Sequence, residues 1–309
     1  MSYHYYIADV FTEQIFNGAQ IAVFPNAEGL STLQMTKVAK ELNLTETVFV
    51  FHQGQDSARR RLRIFTPKGE IDFAGHPIMA TAFVLGSCGD IVLTGTYTPI
   101  IFEQNIGDIH VSITNEKDKP VFIQFTSKVT PIVDRYGPTE DELASFLSLP
   151  EGQIDHKKYS TRLVSCGFPY LIVPVYSYEV VRNARFNFQA WSQSIASQTA
   201  AQEILLFSLK TPFHDIDFNT RLVGPNIGLY EDPPVGSAMP AFAAYLCSFE
   251  HMQKGTYVFS VDRGETQQRR SVINLEMDHK GEDTLTIRVG GTAVMVAEGN
   301  MNIPTLEAI

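Results

Sequence analysis

Arg63-Ile64-Phe65-Thr66-Pro67, followed by Gly75-His76-Pro77, has a counterpart later in the chain: Arg221-Leu222-Val223-Gly224-Pro225, followed by Gly236-Ser237-Ala238. The separation is about 160 residues in both cases. Gly95-Thr96-Tyr97 likewise reappears as Gly255-Thr256-Tyr257, and Glu46 before an apolar run matches Glu203 before residues 204–207. Four matches in order at a nearly constant offset indicate a duplicated unit about half the chain long. A period of that length marks a domain duplication rather than a solenoid. The Pro- and Asp-containing connection at residues 127–133 is the expected boundary. It predicts a first domain over 1–128, with the C-terminal strand 291–309 a candidate to complete it, and a second over 129–290. Two facing copies predict a cleft, where small ligands commonly bind.

Local patterns extend outward from the repeat. Residues 6–10 and 20–24 are β-branched or aromatic runs around the turn signal Asn17-Gly18. Ser31 with Gln34 forms a capping box, and Leu33, Met35, Val38, Ala39 and Leu42 predict a helix ending at Leu42. The apolar run 47–51 reads as a buried strand. Residues 59–65 alternate, Leu62 and Ile64 against Arg61 and Arg63, and predict an edge-like strand closed by Pro67. Gly75-His76-Pro77 opens an apolar, buried helix over 78–85, with Pro77 suited to its first turn. Further strands are expected at 90–93, 100–103, 109–113 and 121–126.

Composition narrows the function classes. The chain has 309 residues, 44% hydrophobic, which is ample for a sizeable core. Its 34 acids against 24 bases give a charge of −10, so the basic footprint of a nucleic-acid binder is missing. No apolar run approaches a membrane span, and the N-terminus lacks the regions of a signal peptide. Cys88, Cys166 and Cys247 are odd in number and far apart, which argues against a disulfide framework or zinc ribbon and for a cytoplasmic protein. The eight histidines show no metal-ligand spacing. Phosphate-loop and dinucleotide glycine motifs are absent, and Ser165-Cys166-Gly167 lacks the frame of a nucleophile elbow. Neither a metal nor a cofactor is expected.

Gly75 and Gly236 stand where the two buried helices begin. A helix N-terminus presents backbone N–H groups and the positive end of a dipole, so two such ends suit a carboxylate or an enolate-like charge. A glycine at either place would equally permit a tight turn; the symmetric placement favours a binding role.

Longer stretches carry a specific resemblance. Asp9-Val10-Phe11-Thr12, Phe16-Asn17-Gly18, Ala22-Val23-Phe24 and the run 39–49 through Leu44-Thr45-Glu46-Thr47-Val48-Phe49 are similar to the phenazine-biosynthesis isomerase (PhzF-like) family. So are residues 63–67, Gly75-His76-Pro77, the run 228–238 (Gly228 to Ala238), and Val289-Gly290-Gly291-Thr292 with Glu298-Gly299. The resemblance covers nearly the whole chain. It implies an α+β, diaminopimelate-epimerase-like fold: two pseudo-symmetric domains, each a curved, mostly antiparallel sheet around a central helix.

The resemblance also implies roles. Glu46 matches the family's acid/base carboxylate, His76 its active-site histidine and Asp232 its second acid. Gly18, Gln20, Gly75, Gly236 and Ser237 fall at substrate-binding positions. A carboxylate that moves protons to and from carbon needs burial to raise its pKa, and Glu46 sits between a helix end and an apolar strand. The expected activity is a cofactor-independent proton shift between carbons of a small carboxylate metabolite, in a homodimer. The alternative is a catalytically inert binding or scaffold member of the same fold. Several positions depart from the pattern. Ala74 and Val235 stand where related epimerases place two catalytic cysteines, which excludes two-thiol racemisation. Ala19-Gln20 replaces an Asn-Pro pair, and around residues 267–271 only Arg269 and Ser271 keep the family's ending. Glu203, followed by no hydroxyl, reads as structural.

Overall fold

The computed structural model describes the chain apart from residues 55–57, 136, 229–231, 266–268, 282 and 306–309. The resemblance-bearing residues 229–231 and the departures at 267–268 therefore lie outside the described residues. The chain divides into two compact units. The first comprises Met1–Thr126, Thr266–Ser271 and Val289–Ile309; the second comprises Ser127–Glu265 and Val272–Arg288.

Unit 1 begins with β1 (Ser2–Val10), β2 (Ala19–Phe24), α1 (Thr32–Leu42), β3 (Glu46–His52) and β4 (Arg59–Thr66). It continues through β5 (Gly69–Ile71), α2 (Gly75–Cys88), β6 (Tyr97–Gln104), β7 (Gly107–Glu116) and β8 (Lys119–Val129). The second unit carries β9 (Ile132–Asp134), α3 (Glu140–Leu147), β10 (Arg162–Ser165), β11 (Pro169–Pro174), α4 (Tyr178–Asn183) and α5 (Phe188–Gln193). After these come β12 (Glu203–Ser208), β13 (Phe218–Val223), α6 (Met239–Cys247), β14 (Gly255–Arg263), β15 (Ser271–His279) and β16 (Leu285–Gly291), the chain belonging to unit 1 again from Val289. The last strand, β17 (Ala293–Asn302), pairs antiparallel with β1.

The two units repeat one order of strand senses. In unit 1, β1–β2 is antiparallel, β2–β3 parallel, β3–β4 antiparallel and β4–β6 parallel. In unit 2, β10–β11, β11–β12, β12–β13 and β13–β14 follow the same series. A parallel pair cannot be closed by a hairpin and needs a crossover. The helices fall at those crossovers: α1 and α2 in unit 1, α4–α5 and α6 in unit 2. The duplication read from short sequence matches is thus a duplication of topology. Equivalent registers extend to single residues, since Ile21 lies beside Glu46 and Tyr170 beside Glu203.

The unit 1 sheet has two covered faces. On one, Met35, Val38 and Ala39 of α1 pack on Phe24, Phe49 and Phe65. Phe24 stacks on Phe49 at 5.0 Å, and Phe49 meets Phe65 edge-on at 5.5 Å. The alternate residues, among them Val23, Val48 and Ile64, face the other way and are buried. That face is the side of α2, which is buried from Gly75 to Gly86 and packs on β1, β2, β3, β7 and β17. A helix apolar on every side needs such enclosure.

α1 begins as its sequence requires, with Ser31 Oγ accepting from the Gln34 N–H and the Gln34 side chain accepting from the Ser31 N–H. Removing an N-cap hydroxyl costs about 1 kcal/mol, so Ser31→Ala should lower stability in urea unfolding by that amount. Three local expectations are corrected. Leu33 is 51% exposed, because it lies off the Met35–Val38–Ala39 face; Gln34 is buried instead and donates to the Pro304 carbonyl at 2.8 Å. Residues 59–65 are not at an edge, since β4 pairs with β3, β5 and β6. Residues 90–93 form no strand: Ile91 N–H closes on Leu85 O behind α2, and Asp90 takes up Arg60 at 3.0 Å.

Unit 2 has a core of its own. Phe207 is fully buried and meets the rings of Tyr159, Phe218, Phe242 and Tyr245 at 5.1–5.8 Å. Behind it, Leu171, Val173, Ile204 and Leu206 pack with Leu143, Phe146 and Trp191. Among the described residues no helix is long and apolar enough to cross a membrane.

Candidate active site

Glu46 is the first residue of β3, and strand alternation puts its side chain on the α2 face with Val48 and Val50. It is 8% exposed. Burial alone raises its pKa from the ordinary 4.5 to about 7. Its Oε2 is buried with no hydrogen-bond partner among the described residues. A carboxyl without a cation or donor to favour its charged form titrates near neutrality, the range in which a general acid/base works best.

His76 lies in the first turn of α2, 3% exposed, its ring edge-on to Phe11 at 5.6 Å. The N-cap residue Ala74 is extended and gives the helix no side-chain cap. Phe11 opens the loop from β1 to β2, and β2 runs parallel to β3 with Ile21 beside Glu46. Loop 11–18, the start of α2 and Glu46 are therefore gathered at one end of the unit 1 sheet.

The remaining predicted residues are distributed differently. Gly18 has φ +66°, and a Cβ there would meet the Val10 carbonyl at 2.1 Å. The turn demands glycine, so Gly18→Ala should cost more than about 1 kcal/mol in thermal or urea unfolding. Gln20 pairs with Asp9 across β1–β2, and alternation places both on the face away from Glu46. In unit 2, Gly236 does not open the α-helix directly; it starts a 3₁₀ turn, Gly236–Ala238, that leads into α6. Pro240 at the head of α6 explains the shift, since it suits a first turn but supplies no N–H. Burial and the Glu203 carboxylate push the Tyr170 hydroxyl upward, opposed by its hydrogen bond with Ser237. Glu203 itself is raised by burial.

Asp232 is held by cations. Its Oδ2 accepts from Arg182 at 2.6 Å, and Arg263 Nε stands 3.6 Å from Oδ1. Arg182 also donates to the Thr220 carbonyl. Both arginines are more than nine-tenths buried, and sequence reasoning missed them, because neither stands in a motif with Asp232. Cys166 and Cys247 are pushed by burial to about 12 and so are poor thiolates. Among the described residues no cluster of His, Cys, Asp and Glu suits a metal ion. A cavity of about 450 Å³ in unit 1, bordered by Tyr5, Lys37, Glu41 and Met301, includes none of the predicted site residues.

The family model for phenazine biosynthesis-like proteins (PhzC–PhzF) matches residues 8–299. This chain belongs to that family. An uncharacterised isomerase of Mesorhizobium japonicum is 31% identical over 97% of this chain and 99% of its own length. A trans-2,3-dihydro-3-hydroxyanthranilate isomerase of Pseudomonas chlororaphis is 25% identical, over 97% and 99%. The crystal structure of a PhzF-family protein of Bacillus anthracis superposes with a TM-score of 0.84 at 23% identity, covering 98% and 100% of the two chains. The fold is thus the diaminopimelate-epimerase-like α+β fold, and the protein is an isomerase.

Proposed function

We propose that this PhzF-family isomerase moves a proton between carbons of a small carboxylate metabolite, with Glu46 as the acid/base and no cofactor. The observation that carries the reading is a buried carboxyl, raised by desolvation to about 7, at the end of the sheet where α2 begins. In its ionised form Glu46 takes a proton from carbon. The electron pair left behind delocalises into the adjacent unsaturated system, and the protonated carboxyl returns its proton to a second carbon. Atoms and charge balance without an external redox partner. His76, beside Phe11 in the first turn of α2, orients the substrate. Asp232, ion-paired with Arg182, holds the segment leading to Gly236.

The curated relative points to trans-2,3-dihydro-3-hydroxyanthranilate as the first compound to try. Incubation in heavy water, followed by proton NMR, should show isomerisation with deuterium entering one carbon position. Recovery of the compound unlabelled and unchanged, together with a panel of related unsaturated carboxylates, would remove the reading.

A further inference from the structure

We propose that Asp9 and Arg269 form a latch that fixes loop 11–18 at the Glu46 end of the unit 1 sheet, making both positioning residues for the substrate. The inference rests on the reading of Glu46 as the acid/base. Asp9 is fully buried at the end of β1. One of its carboxylate oxygens accepts the Phe16 N–H at 2.7 Å and the other accepts from Arg269 Nη2. Arg269 also donates from Nε to the Gly18 carbonyl at 3.2 Å and from Nη2 to the Asn17 carbonyl at 3.3 Å. The Gly18 N–H in turn reaches the Arg270 carbonyl at 3.0 Å. One carboxylate and one guanidinium thus tie down three consecutive residues of the loop, through charge-assisted bonds.

Backbone strain collects at the same place. Phe11, Phe16 and Arg269 all have positive φ, at 61°, 68° and 57°, a conformation that side-chain-bearing residues seldom adopt. Such residues persist where surrounding contacts over-determine them, and they cluster at functional sites. Phe16 is held there although 66% exposed, so its own packing does not account for its conformation. The loop reaches the site at Phe11, which touches His76, and at the start of β2, beside Glu46. Asp9, by contrast, lies on the opposite face from Glu46. A change at Asp9 or Arg269 therefore acts on the chemistry through the loop and not through Glu46.

The test compares wild type with Arg269→Ala, Arg269→Lys and Asp9→Asn in the full chain. Amide hydrogen exchange should rise at least about tenfold at Phe16 and Gly18 in Arg269→Ala and Asp9→Asn, with β1–β2 amides such as Ile7 and Ala22 still protected. With trans-2,3-dihydro-3-hydroxyanthranilate as probe, KM should rise about tenfold while kcat stays within about threefold, and Arg269→Lys should recover part of both effects. Unchanged exchange in the loop overturns the latch. So does exchange that rises uniformly through unit 1, or a loosened loop with unchanged KM. Should the wild-type protein leave this compound unaltered, the assigned substrate falls, and the exchange comparison alone decides the latch.

Discussion

Glu46→Gln should abolish proton exchange between substrate and heavy water, with a loss of about 10³-fold or more, because the amide can neither accept nor return the proton. The same substitution should alter stability in a defined direction. In the folded protein Glu46 titrates at about 7, against 4.5 for an ordinary glutamate. Between those values the native state binds the proton more tightly than the unfolded chain. The contribution of this group to stability is therefore present in full below pH 4.5 and lost as pH rises to 7, flattening above that. A difference of this size corresponds to about 3 kcal/mol, reduced by whatever the native state relaxes. Urea unfolding at pH 5, 6, 7 and 8 should show wild type losing stability along this series relative to Glu46→Gln. The variant that kills activity should thus be the relatively more stable protein at pH 8. Parallel pH profiles for the two proteins would mean that Glu46 is solvated.

Phe207→Ala should be the most damaging of the core truncations, at about 3–5 kcal/mol. The ring is fully buried, and the four aromatic neighbours around it are on different elements: Tyr159 before β10, Phe218 in β13, and Phe242 and Tyr245 in α6. Partial collapse cannot refill a space bordered by rings from three parts of the unit. Chemical unfolding of Phe207→Ala, followed by tyrosine fluorescence and far-UV dichroism, measures the cost. A loss below about 1 kcal/mol would show that unit 2 is not organised on this cluster.

Much of this architecture was legible in the sequence because duplication multiplies weak signals. The Arg-aliphatic-Pro and Gly-x-x matches located β4, β13, the head of α2 and the 3₁₀ turn that leads into α6, and the shared strand senses explain why those matches kept their order. Glu46 was singled out by the family resemblance of residues 45–49, and the apolar run that follows it accounts for the burial of its carboxylate, since it draws the strand inside. What escaped detection was long-range. Arg269 reaches Asp9 across 260 positions, and Arg182 reaches Asp232 across 50, so no local spacing could link either pair. The face occupied by Gln20 depends on register, and a one-residue change of register reverses faces. Residues 90–93 have a strand's composition, but the chain leaving α2 closes back on Leu85 and leaves them irregular.

Desolvation poises the Glu46 carboxyl for proton transfer near neutral pH. Carbon-13 NMR of the protein labelled at glutamate side-chain carboxyls, assigned by comparison with Glu46→Gln, measures this directly without any substrate. One glutamate resonance should titrate with a midpoint near 7 and be missing from the variant. A Glu46 midpoint at the ordinary 4.5 would contradict it.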